Sequence, residues 1–272
     1  MRRPLSSILK AILATLVVTA TPVLAEDPPP FPEFKFKKVA PPTKRSGPRI
    51  NIQIEPQPNV RVSVPETEEP LEGAKNAYGW FWSSVSPKLE DASPARLDDT
   101  LAALQDAERD LVLSPPRLDE IRLITDRYGK DILLATIGTR VSPALVAAII
   151  HVESGGRADA VSTAGASGVM QLIPTTAERF GVDDITNPAQ NIKGGVAYLD
   201  WLMEEFDLDP VMILAGYNAG ENAVKSHKGV PPFSETRAYV PKVLSAWRVA
   251  SGLCKTPPQF ITDGCAFLDA KR

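Results

Sequence analysis

Ile149-Ile150-His151-Val152-Glu153-Ser154-Gly155-Gly156 closes an apolar run that opens at Val141 with VSPALVAAII. Ser142-Pro143 supplies a helix start, with an N-cap serine and a first-turn proline whose missing N–H is unpaired there in any case. Gly155 supplies the stop, since glycine takes the left-handed conformation after a last turn without a Cβ penalty. Val146, Ile149, Ile150 and Glu153 fall at i, i+3, i+4 and i+7, which places the carboxyl on the stripe that faces a core. Burial and the negative end of the helix dipole both disfavour the ionised form. Carboxyls held this way move from about 4.3 toward ~6–7, where they both give and take a proton near neutral pH. A glutamate closing a helix on its solvent side reads the same from this stretch alone.

Outward from that helix the apolar period stays helical. Ile121, Ile124 and Tyr128 share one face, and Ile192, Val196, Leu199 and Met203 share another within a helix expected over Asn191 to Glu205. Further helices are expected around Pro210 to Ala215 and from near Glu235, the last carrying Tyr239, Val243 and Trp247. No credible set of paired strands appears, so residues 116–250 read as one compact, mainly α domain. Ahead of it, residues 71–115 form a helical accessory segment. It contains an aromatic cluster (Tyr78, Trp80, Phe81, Trp82) suited to packing on a neighbouring domain. Leu97, Leu101, Leu104 and Leu111 lie near helical spacing in the same segment.

The chain has 26 prolines among 272 residues, and they crowd residues 26–70. Packed helix is excluded there, so this stretch reads as a linker or extended arm, with a basic half and then an acidic half. Ile50-Ile52-Ile54 and Val60-Val62-Val64 alternate like short β-segments. Residues 1–25 pair Arg2, Arg3 and Lys10 with an apolar run from Ala11 to Ala25 that Pro22 interrupts. That pattern describes a cleaved secretory signal, because it falls short of the ~20 residues that span a bilayer. Removing those three positive charges takes the formal charge from -3 to -6. Neither value suits a nucleic-acid partner. Export, to the periplasm or beyond the cell, and no stable membrane insertion after cleavage are therefore expected.

Cys254 and Cys265 are the only cysteines, and in an exported chain their closeness suggests a disulfide within a tail over 251–272. His151 and His227 are the only histidines, so Ser-His or Cys-His catalysis is poorly supported, and no metal or other cofactor is called for.

Four further segments lie downstream of or at Glu153. They are Glu153-Ser154, Gly168-Val169-Met170-Gln171, Tyr217-Asn218-Ala219-Gly220 and Glu235-Thr236-Arg237-Ala238-Tyr239-Val240. Singly each is weak, since a glycine turn or a helix-start acid looks the same. Together and in this order they resemble the soluble-type lytic transglycosylases, which share a goose-type-lysozyme-like fold. The resemblance runs from about Tyr128 to Trp247 and makes the expected fold a lysozyme-like helical catalytic domain.

The resemblance implies cleavage of the MurNAc-β-1,4-GlcNAc bond of peptidoglycan glycan strands. It casts Glu153 as the acid and then the base, with 1,6-anhydro-MurNAc ends as product. It also implies saccharide contacts or support of the acid for Ser162, Met170, Gln171, Tyr217, Asn218, Glu235 and Tyr239, with Met170 lining the groove. Gly216 departs from the alanine usual before the Tyr-Asn pair, and a slightly looser backbone is the expected consequence. Two other readings stay open. A lysozyme-like hydrolase would need a second carboxylate, for which Asp159, Asp183 and Asp184 are candidates by position. A non-catalytic wall-binding or secretion-apparatus component would keep the fold alone, and the proline-rich arm could bring either to an envelope protein partner.

Overall fold

The computed structural model describes residues 78–109 and 113–268. The expected signal, the proline-rich arm, its two alternating segments and Leu111 lie outside the described residues. The described chain is helical: α1 (Gly79–Ser84), a single 3-10 turn (Leu89–Asp91), α2 (Arg96–Arg109), α3 (Leu118–Thr136), α4 (Pro143–Ser154), α5 (Pro174–Arg179), α6 (Pro188–Glu205), α7 (Pro210–Ala219), α8 (Glu221–Ser226) and α9 (Ser234–Ser251). Among the described residues β-structure is confined to isolated bridges.

Helix α4 is the hub, packed between α9 and α3, with α6 and α7 completing the core. Every residue from Ala144 to Ile150 is fully buried, so α4 is enclosed on all sides and not only along the stripe through Glu153. Only its last turn, with His151, Val152 and Glu153, reaches partial exposure. Gly155 ends it in the left-handed conformation at φ 61°, as the sequence leads one to expect. The start differs from expectation in detail. Ser142 stands at the N-cap, but its hydroxyl caps nothing and is buried without a partner, while its amide donates to Ile261 O at 2.9 Å.

Proline opens α4, α5, α6 and α7, the position where its lost N–H has no helical partner. That habit puts the start of α6 at Pro188, ahead of Asn191, with Asn187 accepting from Gln190 N. Gly216 proves to be a site of close approach, not looseness. A Cβ there would stand 2.8 Å from Phe206 and 3.0 Å from Leu202, so glycine lets α7 pack tightly on α6.

Asn191, fully buried, ties α6 to the loop before Gln171: it accepts from Met170 N at 2.8 Å and donates to the carbonyls of Ser167 and Ile185 at 3.0 Å each. Gly168 makes room for it at φ +81°, since a Cβ would fall 2.4 Å from Asn191 Nδ2 and 2.7 Å from Ile185 O. Gly168→Ala is therefore expected to lower stability by about 1–3 kcal/mol or more, read as a fall in the urea midpoint. An unchanged midpoint would mean that this loop adapts freely.

The accessory segment lies on α9 and α7. Phe81 and Leu104 are fully buried, and Arg96 pairs with fully buried Asp209 at 3.0 Å. Asp209 also caps α7, accepting from Met212 N at 2.7 Å, and holds Ser93 N at 2.8 Å. At the other end Cys254 and Cys265 are joined by a disulfide, and the loop they close supplies Ile261 O to the start of α4.

Candidate acid–base site

A groove of about 780 Å³ runs past the end of α4. Glu153 projects into it from the last turn of α4, and Tyr239 of α9 donates from its hydroxyl to Glu153 Oε1 at 2.6 Å. Burial pushes the Glu153 carboxyl up from 4.5 to about 7. The Tyr239 hydrogen bond pulls the other way, and the charge of Glu235 adds to the rise. Tyr239 and Tyr217 are held well above the ordinary tyrosine range, by burial first and then by the nearby Glu153 charge. Both stay neutral and act as donors. A carboxyl poised near 7 beside a neutral phenol can release a proton to a bound oxygen and recover one from another.

Tyr217 donates to the backbone carbonyl of Met170 at 2.9 Å, which spends its hydroxyl on the Gly168–Gln171 turn. Gln171 itself stands in the left-handed region at φ 48° and anchors its amide on Ala160 O and Gly168 O at 3.0 and 2.9 Å. Gln171 lines the groove. Asn218 accepts from Thr236 at 2.7 Å and reaches Glu235 at 3.4 Å, so α7 and the start of α9 are stitched together beside the acid. Ser162, which lines the groove, accepts from Ala166 N at 3.0 Å. Ser154 is buried behind Glu153 and donates to Val169 O at 2.7 Å, fixing the end of α4 against the same turn.

Of the residues singled out in the sequence, Glu153, Ser162, Gln171, Tyr217, Asn218, Glu235 and Tyr239 all line this groove. Met170 does not. Its side chain is fully buried, with its sulfur 2.5 Å from where a Cβ on Gly195 would stand, so it is a core residue that serves this region through its backbone, its carbonyl held by Tyr217 and its N–H by Asn191. The expectation that it lines the groove is corrected accordingly. Asp159, Asp183 and Asp184 are likewise not among the groove residues.

The groove also takes in Arg179, Tyr198, Glu221 and Lys242, which the sequence did not single out. Arg179 pairs with Glu221 at 2.8 Å and lies 4.2 Å over the Trp201 ring, and Tyr198 donates to Glu221 at 3.0 Å. No spacing announces this cluster, because its members come from α5, α6 and the start of α8. Lys242 follows Tyr239 by three residues on α9, a spacing that could have flagged it.

A helical domain with a polar groove and one partly exposed carboxyl pushed up to about 7 is the frame of an acid–base site. Residues 133–240 match the family model described as Transglycosylase SLT domain. It is 33% identical over 133 residues to the soluble lytic murein transglycosylase of Salmonella typhimurium, covering 40% of this chain and 21% of that protein. It is 47% identical over 83 residues to the membrane-bound lytic murein transglycosylase F of Maricaulis maris, covering 28% of this chain and 18% of that protein. The chain thus spans about a fifth of the length of these two curated relatives. Among solved structures, the 70 kDa soluble lytic transglycosylase of Escherichia coli aligns at 22% identity with a TM-score of 0.45, covering 70% of this chain and 31% of that one.

With Tyr239→Phe the hydrogen bond that favours the ionised form is lost, so the Glu153 carboxyl is expected to titrate still higher. The alkaline limb of any activity that needs a protonated Glu153 should move to higher pH in this variant. A limb that stays in place, or moves down, would remove Tyr239 from the account.

Proposed function

We propose that this chain is a peptidoglycan lytic transglycosylase, cutting the MurNAc-β-1,4-GlcNAc bond without water. The observation that carries the reading is the single groove carboxyl raised to about 7, Glu153, within the segment that matches the SLT domain. In the protonated state Glu153 gives its proton to the glycosidic oxygen as the bond from C1 of MurNAc to that oxygen breaks, and GlcNAc leaves with a free hydroxyl. The N-acetyl oxygen of the same MurNAc stabilises the positive charge at C1. Glu153, now ionised, takes the proton from the MurNAc 6-hydroxyl while that oxygen closes on C1. Atoms balance with no water consumed, and the acid returns to its starting state. One carboxyl suffices because substrate atoms replace both a second carboxylate and the water.

Neutral Tyr239 holds Glu153 in place and supports its charge after proton transfer. Gln171, Asn218 and Ser162 are the proposed saccharide contacts, and Tyr217 braces the floor through Met170 O. Glu235 acts as an organiser of the groove through Asn218. A hydrolytic reading would have to recruit Glu235 or Glu221 as the second carboxylate, and Glu221 is already engaged by Arg179 and Tyr198. The basic and then apolar start of the sequence supports action in the periplasm, and the arm over 26–70 is proposed to meet an envelope protein. The test is mass analysis of the fragments that the full chain releases from purified peptidoglycan. Anhydro-MurNAc ends are expected, and reducing MurNAc ends would overturn the reading in favour of hydrolysis.

A further inference from the structure

Helix α9 carries Tyr239, which bonds Glu153, and two residues on it carries a proline, Pro241, inside the helix. Proline has no N–H to give, so the carbonyl four residues back, that of Arg237, loses its helical donor, and the ring crowds the same carbonyl. Arg237 O is nevertheless paired. Trp82, in α1, donates to it from Nε1 at 2.9 Å. The replacement donor comes from outside α9 and from outside the segment that matches the SLT domain.

The surrounding contacts fasten the same region. The Arg237 guanidinium lies 4.7 Å over the Trp82 ring and donates to Pro231 O and Val230 O at 3.0 and 2.8 Å. Val230 N donates to Pro87 O at 2.8 Å, and Leu89 N donates to Lys228 O at 2.9 Å. Gly229, at φ +146°, leaves no space for a side chain, since a Cβ would fall 2.1 Å from Pro87 O. The loop that leads into Glu235 is thus clamped to residues 82–89.

We propose that Trp82 is a positioning residue for the site: by supplying the donor that Pro241 removes, it fixes the turn of α9 from Glu235 to Tyr239 against Glu153. The segment ahead of the SLT domain thereby belongs to the working site, and the inference rests on reading Glu153 as its acid. Trp82 acts only through Arg237 and is not among the groove residues.

Groups on two helices act on the Glu153 charge: Tyr239 and Glu235 from α9, and Tyr217 from α7. With the burial of Glu153 at the end of α4 left in place, weakening the Tyr239 bond raises the carboxyl, and that bond acts on it more strongly than the opposing charge of Glu235. The test follows Glu153 directly by carboxyl carbon NMR across pH, without substrate, in the full chain, in Trp82→Phe and in Trp82→Phe with Pro241→Ala. Phenylalanine keeps a ring and loses the N–H, while alanine at 241 restores a backbone donor to Arg237 O. The Glu153 midpoint is expected to rise in Trp82→Phe, toward that of Tyr239→Phe, and to return in the double variant. An unmoved midpoint, or a shift that Pro241→Ala fails to reverse, overturns the proposal. If Trp82→Phe does not fold and the double variant does, that rescue supports it. If neither folds, Trp82 serves by its bulk and the proposal fails. Because no substrate is present, absence of glycan cleavage would count against the proposed function and not against this device.

Discussion

Glu153→Gln is expected to lower turnover of peptidoglycan by about 10³–10⁴-fold while leaving the fold intact, because in the proposed mechanism one side chain carries both proton transfers. Glutamine keeps the shape and can still accept from Tyr239, so a loss confined to turnover separates chemistry from packing. The same variant should change how stability depends on pH. The folded carboxyl sits near 7 against 4.5 for an ordinary glutamate, so the folded state holds its proton more tightly than the unfolded chain does. Stability is fully present below about pH 4.5 and is lost as pH rises through 7, by about 3 kcal/mol in all. Glu153→Gln has no such proton to lose, so its stability relative to the native chain should improve between pH 4 and pH 8 by about that amount. Parallel stability curves for the two proteins would show that Glu153 is not held protonated by the fold, and the acid role would lose its basis.

The second large effect is expected at the buried pair between α2 and α7. Asp209→Ala leaves the Arg96 charge enclosed without its partner and also uncaps α7, at a cost of about 3–5 kcal/mol in urea unfolding. Arg96→Met strands the opposite charge and should cost a similar amount. Joining Arg96→Met to Asp209→Asn should cost less than the two single changes together, because no ion is then left alone. A loss under about 1 kcal/mol for Asp209→Ala would mean that the accessory segment is a loose appendage and does not share a core with the segment that matches the SLT domain.

Much of this was legible in the residues and some was not. The period of α4, with its proline start and glycine stop, located the helix and the place of the Glu153 carboxyl at its end, because capping chemistry and burial act locally. The sequence pattern could not show that α4 is buried all round, since that depends on α9 and α3 closing over its second face. Met170 illustrates the opposite error. Its place in a motif suggested contact with the sugar, yet the motif is conveyed by its carbonyl and by its fit against Gly195. Gly216 likewise reads as slack on the page and as close helix contact in space. The Arg179–Glu221–Tyr198 cluster and the Trp82–Arg237 bond join residues 42, 23 and 155 positions apart in the chain, beyond any local pattern. A proline inside α9 was visible throughout, but the donor that answers it could be found only from the packing of α1.

Cleavage of purified peptidoglycan in oxygen-18-labelled water tests the central claim most directly, since ring closure by the MurNAc 6-hydroxyl uses no solvent oxygen. The account predicts anhydro-MurNAc ends with no label, and no such ends from Glu153→Gln. Reducing MurNAc ends carrying one labelled oxygen at C1 would contradict it, because water would then have done the work assigned here to the substrate.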